Sequence, residues 1–103
     1  MILFIRTKDD VTVAEVSFYI KHDYLEASGY VDIHEFAKLL SCSDKPEKLT
    51  EDMQAINDIR GWLWEKYFMG KQNTKDAYDS VLNALRTILK DVASEHNLTY
   101  VED

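Results

Sequence analysis

The chain of 103 residues carries 19 acidic and 12 basic side chains, a formal net charge of −7, and 46% hydrophobic residues. This length and composition suit one globular domain with a modest core, since domains commonly run from about 50 to about 250 residues. The excess of carboxylates argues against direct nucleic-acid binding, which needs lysine and arginine facing phosphates, and against docking on an anionic membrane. An acidic surface instead favours encounter with a basic partner protein.

The cysteine content and the N-terminus bear on localisation. Cys42 is the single cysteine, so an intramolecular disulfide is excluded and a reducing compartment is favoured. The N-terminal segment, MILFIRTKDD, has too short an apolar run for a signal peptide. No segment approaches the ~20 apolar residues of a membrane span. We therefore expect a cytoplasmic protein.

Residues 1–31 are expected to be mainly β. The apolar run at residues 2–6 predicts a short strand, and a polar turn follows at residues 8–10. Polar and apolar residues then alternate over residues 11–22, which predicts a strand with one buried face. The short turn favours pairing of these two strands as a hairpin. Gly29 indicates a turn, after which Tyr30 and Val31 begin a short third strand.

Residues 32–96 are expected to be helical. Asp32 is a predicted N-cap for a helix whose apolar face carries Ile33, Phe36, Leu39 and Leu40.

Two further helices are expected after the loop that contains the only proline. Thr50 is predicted to cap the second helix, which runs to about Met69 and ends at Gly70. Thr74 is predicted to cap the third, which reaches about His96.

Asn97 is expected to end the last helix in a left-handed conformation, and residues 97–103 form a short terminal strand or a tail. Strands followed by helices predict an α+β fold rather than alternating α/β. We expect a single domain, 1–103, with a small antiparallel sheet packed against three α-helices. The sheet contains the N-terminal hairpin and one or two further short strands.

The second predicted helix has more large apolar residues than one buried stripe accommodates. On a continuous helix, the stripe is formed by Met53, Ile56, Ile59, Leu63 and Tyr67, with Trp64 and Phe68 on one flank. Trp62 points to the opposite side, and Met69 lies near it. If this helix is peripheral, Trp62 and Met69 are exposed.

An exposed tryptophan and methionine are typical of interface centres, so Trp62 and Met69 are candidate partner-binding residues. Asp58 and Glu65 lie about one turn away on either side of Trp62, and Glu51 falls on the same side. These carboxylates suit a basic partner. Two alternatives are that the first helix covers Trp62, or that two copies of the chain pack through it.

The sequence offers no arrangement typical of catalysis. His22, His34 and His96 lie on separate predicted elements, and the spacings of common zinc sites are absent. Whether a histidine approaches Cys42 depends on the fold, and a thiol needs such a base to become a nucleophile. With 3 glycines in the chain, a phosphate-binding loop is not expected. We expect no enzymatic activity, no cofactor and no metal.

The sequence therefore predicts a small acidic protein-binding module that occludes a basic surface of a partner protein. Proteins of the inhibitor, immunity, antitoxin and anti-defence types work in this way. One alternative is a homo-oligomeric adaptor or assembly protein, in which two copies form a homodimer through Trp62 and Met69. A second alternative is a nucleic-acid mimic.

Overall fold

A computed structural model describes all of residues 1–103. The elements in chain order are β1 Ile2–Arg6, β2 Thr12–Lys21, β3 Tyr24–Val31, α1 Ile33–Cys42, α2 Pro46–Asn57, α3 Ile59–Trp62, α4 Tyr78–Glu95 and β4 Thr99–Glu102. The four strands form one antiparallel sheet in the order β3-β2-β1-β4. The predicted α+β class is confirmed, with four α-helices in place of three.

The sheet buries one face and leaves the other open. Alternate residues of β1 and β2 point into the core, including Leu3, Ile5 and Phe18, and they pack with residues of the helices. The expected hairpin of β1 and β2 is confirmed by their pairing. On the other face, Tyr19 and Tyr30 remain exposed, so all the helices lie in one layer.

The third strand is longer than the sequence indicates. β3 begins at Tyr24 and contains Gly29 within the strand rather than in a turn. The reason is a close approach: a Cβ at Gly29 would lie 1.8 Å from the backbone oxygen of Ile56 in α2. Glycine is needed here so that a helix backbone can pass directly over the strand.

The first helix begins as predicted. The Asp32 side chain accepts a hydrogen bond from the backbone N–H of Glu35 at 3.0 Å, as an N-cap does. Phe36, with Leu39 and Leu40, packs against the core. Ile33 does not share that buried face, because it is 80% exposed in the first turn.

The predicted second helix is divided into three segments, so the expected boundaries at Thr50 and Met69 are wrong. α2 begins at Pro46, since proline suits the first turn, where no N–H is needed. Thr50 lies inside α2 and donates its hydroxyl to the carbonyl of Pro46 at 2.8 Å. Asp58, with φ −111° and ψ 47°, separates α2 from the short α3.

A π-helical turn, Leu63–Tyr67, follows α3. The backbone N–H of Phe68 donates to the carbonyl of Leu63 at 2.7 Å, one residue further back than in an α-helix. Gly70 adopts φ +75°, which agrees with its predicted role in ending the helix.

The C-terminal part follows the prediction more closely. Thr74 precedes a single 3₁₀ turn, Lys75–Ala77, and makes no capping hydrogen bond, so α4 begins later than predicted. Asn97 has φ 56°, the expected left-handed conformation. β4 then pairs with β1 as an edge strand. No helix of the protein has the length and apolarity needed to cross a membrane.

Candidate functional site

An open groove lies between α2, α3 and α4. Its apolar part is formed by Ala55, Trp62, Ile88 and Val92, and its charged part by Lys48, Glu51, Asp52, Lys66, Asp91 and Glu95. Trp62 is half-buried and packs against the hydrophobic core. The groove therefore combines a large aromatic side chain with a mostly acidic surround.

Trp62 is half-buried because α4 lies beside it: Ile88 and Val92 line the same groove. The helical wheel correctly places Glu51 on the same side as Trp62, but it does not show which other helix covers that side. The Trp62 side chain is partly buried rather than fully exposed. The cover expected from α1 is not seen at this groove, whose lining comes from α2 and α4 as well as from Trp62 and Lys66.

Two carboxylates of the groove form no ion pair within the chain. Glu51 and Asp91 are exposed, and neither is among the seven salt bridges that the chain forms within 4.0 Å. Glu95 is engaged by Lys45, whose ammonium lies 2.6 Å from it. That hydrogen bond and the charge of Lys45 hold the pKa of Glu95 below its ordinary value.

A partly buried network of Lys48, Asp52 and His96 links the two helices that form the walls of the groove. Asp52 is the one charged residue in the buried set. Its Oδ1 accepts from the Lys48 ammonium at 2.7 Å, and its Oδ2 lies 2.7 Å from Nε2 of His96. The His96 side chain is 5% exposed. This network ties α2 to the C-terminal end of α4, so the two walls of the groove are held at a fixed separation.

Asp52 and His96 were not predicted to interact. The sequence places Asp52 in the first turn of a helix that begins at Thr50, where an acidic residue has a purely local role. The actual start at Pro46 puts Lys48 and Asp52 one turn apart within the same helix. That four-residue spacing was the available signal, but it does not identify His96 as the third member.

The structure brings together two of the five predicted site residues. Trp62 and Glu51 line the same groove, whereas Asp58, Glu65 and Met69 do not. The Asp58 carboxylate lies against Gly61: a Cβ added to Gly61 would be 2.5 Å from Oδ2 of Asp58. Glu65 is exposed on the π-helical turn, and Met69 is 78% exposed beyond it.

Trp64 is the tryptophan that faces solvent. It was expected on the flank of the buried stripe, but it is 51% exposed. Phe68 is buried as expected and contacts Trp64 edge-on, with ring centroids 5.5 Å apart. Trp64 and Tyr24 line an open cleft beside the first residues of β3. The π-helical turn changes the direction of side chains relative to a regular helix, which explains the error.

A second groove, next to the buried network, contains the cysteine. Cys42 and His96 line it together, whereas His22 lies near Trp64 on the far side of the protein. The exposed Cys42 thiol is 3.7 Å from the hydroxyl of Ser41. No group of three or more histidine, cysteine, aspartate or glutamate side chains is arranged to hold a metal ion.

Comparison of the chain with protein-family models, with curated proteins and with solved structures finds no significant match. The geometry and charge of the surface therefore carry the functional argument.

Proposed function

We propose that the protein is a small acidic binding module that occludes a basic surface of a partner protein. The observation that carries this proposal is the groove in which Trp62 lies beside two carboxylates, Glu51 and Asp91, that have no partner within the chain. Such a surface offers an apolar contact and two sites for lysine or arginine. We also propose that it acts in the cytoplasm, where Cys42 stays reduced.

The charge of the groove favours a basic rather than an acidic partner. Four carboxylates and two ammonium groups line it. One ammonium, that of Lys48, is already bound to Asp52. The excess of negative charge is consistent with the net charge of −7 of the whole chain. Long-range attraction would therefore bring a basic surface toward this side of the molecule.

In the complex, a lysine or arginine of the partner would pair with Glu51 or Asp91 at the rim. An apolar side chain of the partner would pack on the exposed part of Trp62, since tryptophan is enriched among residues that dominate binding energy. The Asp52–His96 pair keeps the groove in the binding geometry before the partner arrives. A preorganised surface loses less conformational entropy on binding. Inhibition would follow from steric coverage of the partner's basic surface.

The two alternative functions are supported less well by the geometry. A homodimer through Trp62 and Met69 needs the two residues in one patch, and Met69 does not line the groove of Trp62. A nucleic-acid mimic needs an uninterrupted array of carboxylates. Here Lys48 and Lys66 lie among the acidic residues of the groove.

Affinity capture from a lysate of the source organism, with identification by mass spectrometry, tests the proposal. We expect the wild-type chain to retain a partner whose contact surface is rich in lysine and arginine. The variant Glu51→Lys/Asp91→Lys should lose that partner, because both changes place repulsive charge in the groove. Both positions are exposed and unpaired, so the variant should fold, which circular dichroism would check.

The matched control is Asp9→Lys/Glu65→Lys, which changes the net charge by the same amount at two exposed positions outside the groove. It should retain the partner. Equal loss in both variants would show that only the overall charge matters, and retention in both would place the binding surface elsewhere. Either result would contradict the proposed site.

A further inference from the structure

The two edges of the sheet are protected to different degrees. At the β3 edge, the side-chain amide of Asn73 accepts a hydrogen bond from the N–H of Leu25 at 3.1 Å and donates one to its carbonyl at 3.0 Å. The outward backbone groups of Leu25 are therefore already bonded within the chain, which disfavours the addition of another strand at this end of the β3 edge.

The β4 edge has no such protection. The N–H of Asp103 donates to the carbonyl of Ile2 at 2.9 Å, and the antiparallel register places Val101 opposite Phe4. Because hydrogen bonding alternates along an antiparallel strand, the backbone groups of Tyr100 and Glu102 point away from β1. No side chain caps them in the way that Asn73 caps Leu25. The strand also lacks proline and an inward-pointing lysine, two common means of blocking an edge.

We propose that β4 pairs with β4 of a second copy of this chain, in antiparallel orientation, and joins the two sheets into one. The symmetry axis passes through Val101, so that Tyr100 lies opposite Glu102 of the second copy. In this register both outward-facing residues of each strand exchange backbone hydrogen bonds with the other strand. The interface is distinct from the groove of Trp62 and goes beyond the proposed function.

The side chains around β4 favour a second copy over an unrelated strand. Val101 would contact its own counterpart on the open face of the sheet. On the helical face, Glu102 of the second copy would lie beside Tyr100, over whose ring the Lys90 ammonium already sits at 5.6 Å. Lys90 takes part in none of the chain's own salt bridges. The carboxylate of Glu102 already accepts hydrogen bonds from Arg86 of its own chain. In the dimer, Lys90 of the other copy would add a second cation beside it, which makes the edge complementary to itself.

Sedimentation equilibrium with a pair of variants at one position tests the proposal. The wild-type chain should show a concentration-dependent dimer. Glu102→Pro and Glu102→Ala both remove the carboxylate, but only proline removes the outward N–H. The dimer dissociation constant should therefore be about tenfold or more higher for Glu102→Pro than for Glu102→Ala, since hydrogen bonds are lost on both copies. Because the N–H of Glu102 does not bond β1, the proline variant should keep its fold.

Amide hydrogen exchange provides a measurement on the unaltered protein. The amides of Tyr100 and Glu102 should become protected as the concentration rises, while the amide of Leu25 should not change. A monomer up to about 1 mM, a weak affinity on the usual scale, would overturn the proposal. A dimer equally stable in both Glu102 variants would also overturn it. The variant Glu51→Lys/Asp91→Lys should still dimerise, so failure of the groove proposal would not be confused with failure of this one.

Discussion

Nε2 of His96 lies 2.7 Å from Oδ2 of Asp52, and this contact joins the end of α4 to the middle of α2. One carboxylate oxygen of Asp52 accepts from the Lys48 ammonium and the other lies within hydrogen-bond distance of the imidazole, so both oxygens have partners inside the protein. The same two helices form the walls of the groove that holds Trp62. The Asp52–His96 contact therefore helps to hold α2 against α4, the two helices that form the walls of the candidate binding surface.

Asp52→Ala should destabilise the fold by about 2–4 kcal/mol, because it removes the acceptor of a buried histidine and leaves that polar group without a partner. Urea denaturation would measure the change. Asp91→Ala provides the control on an exposed carboxylate of the same groove, with an expected change within about 0.5 kcal/mol. If the two variants were equally stable, the Asp52–His96 contact would not be what holds α2 against α4.

Gly29→Ala should destabilise the protein by more than about 3 kcal/mol, because a Cβ 1.8 Å from the oxygen of Ile56 forces α2 away from β3. Gly70→Ala is the control. No atom lies within 4 Å of a Cβ at Gly70, but its φ of +75° disfavours alanine. We expect a loss of about 1–2 kcal/mol there, from backbone strain alone. A smaller loss at Gly29 than at Gly70 would argue against close contact between α2 and the strand.

Replacement of the two tryptophans by alanine should reduce the stability of the fold by different amounts. Trp64→Ala removes a side chain that is 51% exposed, and we expect a loss of less than about 1 kcal/mol. Trp62→Ala removes a half-buried side chain packed on the core, with an expected loss of about 1–3 kcal/mol. Thermal denaturation would compare the two variants. The reverse order would mean that Trp64, not Trp62, lies against the core.

Glu102 should titrate below its ordinary range. Its hydrogen bond from Arg86, followed by that from Tyr100, lowers the pKa of the Glu102 carboxyl. A depressed folded-state pKa stabilises the fold above the unfolded-state pKa, and this contribution is lost as the pH falls through the folded value. Carboxyl NMR titration should find a higher pKa for Glu102 in Arg86→Met than in the wild type. Lys45→Met should instead raise the pKa of Glu95 and leave Glu102 unchanged.

Patterns that depend on neighbouring residues predicted much of the fold. The cap at Asp32 and the left-handed Asn97 are local features, and both are confirmed. The alternation along β2 holds over residues 14–18, but Ile20 is 50% exposed rather than buried. A short terminal strand, one of the two expectations for residues 97–103, is also present, and the structure shows that it pairs with β1. These elements were sufficient to predict the α+β class.

The predictions that the structure does not confirm concern features that depend on contacts between residues far apart in the sequence. The interruption at Asp58 occurs two residues after the backbone of Ile56 passes over Gly29, and a helical wheel contains no such information. The π-helical turn at Leu63–Tyr67 then alters the direction of Trp64. Trp62 and Glu51 share a surface as the helical wheel predicts, whereas Asp58, Glu65 and Met69 do not line it.

The most direct test of the binding site is the association rate constant with the captured partner, measured against salt concentration. The wild-type rate should fall steeply with salt, since attraction between opposite charges is screened. At low salt, Glu51→Lys/Asp91→Lys should associate at least about tenfold more slowly than Asp9→Lys/Glu65→Lys, which carries the same net charge. Equal rates for the two variants, or a wild-type rate that does not depend on salt, would contradict an acidic groove around Trp62 as the binding surface.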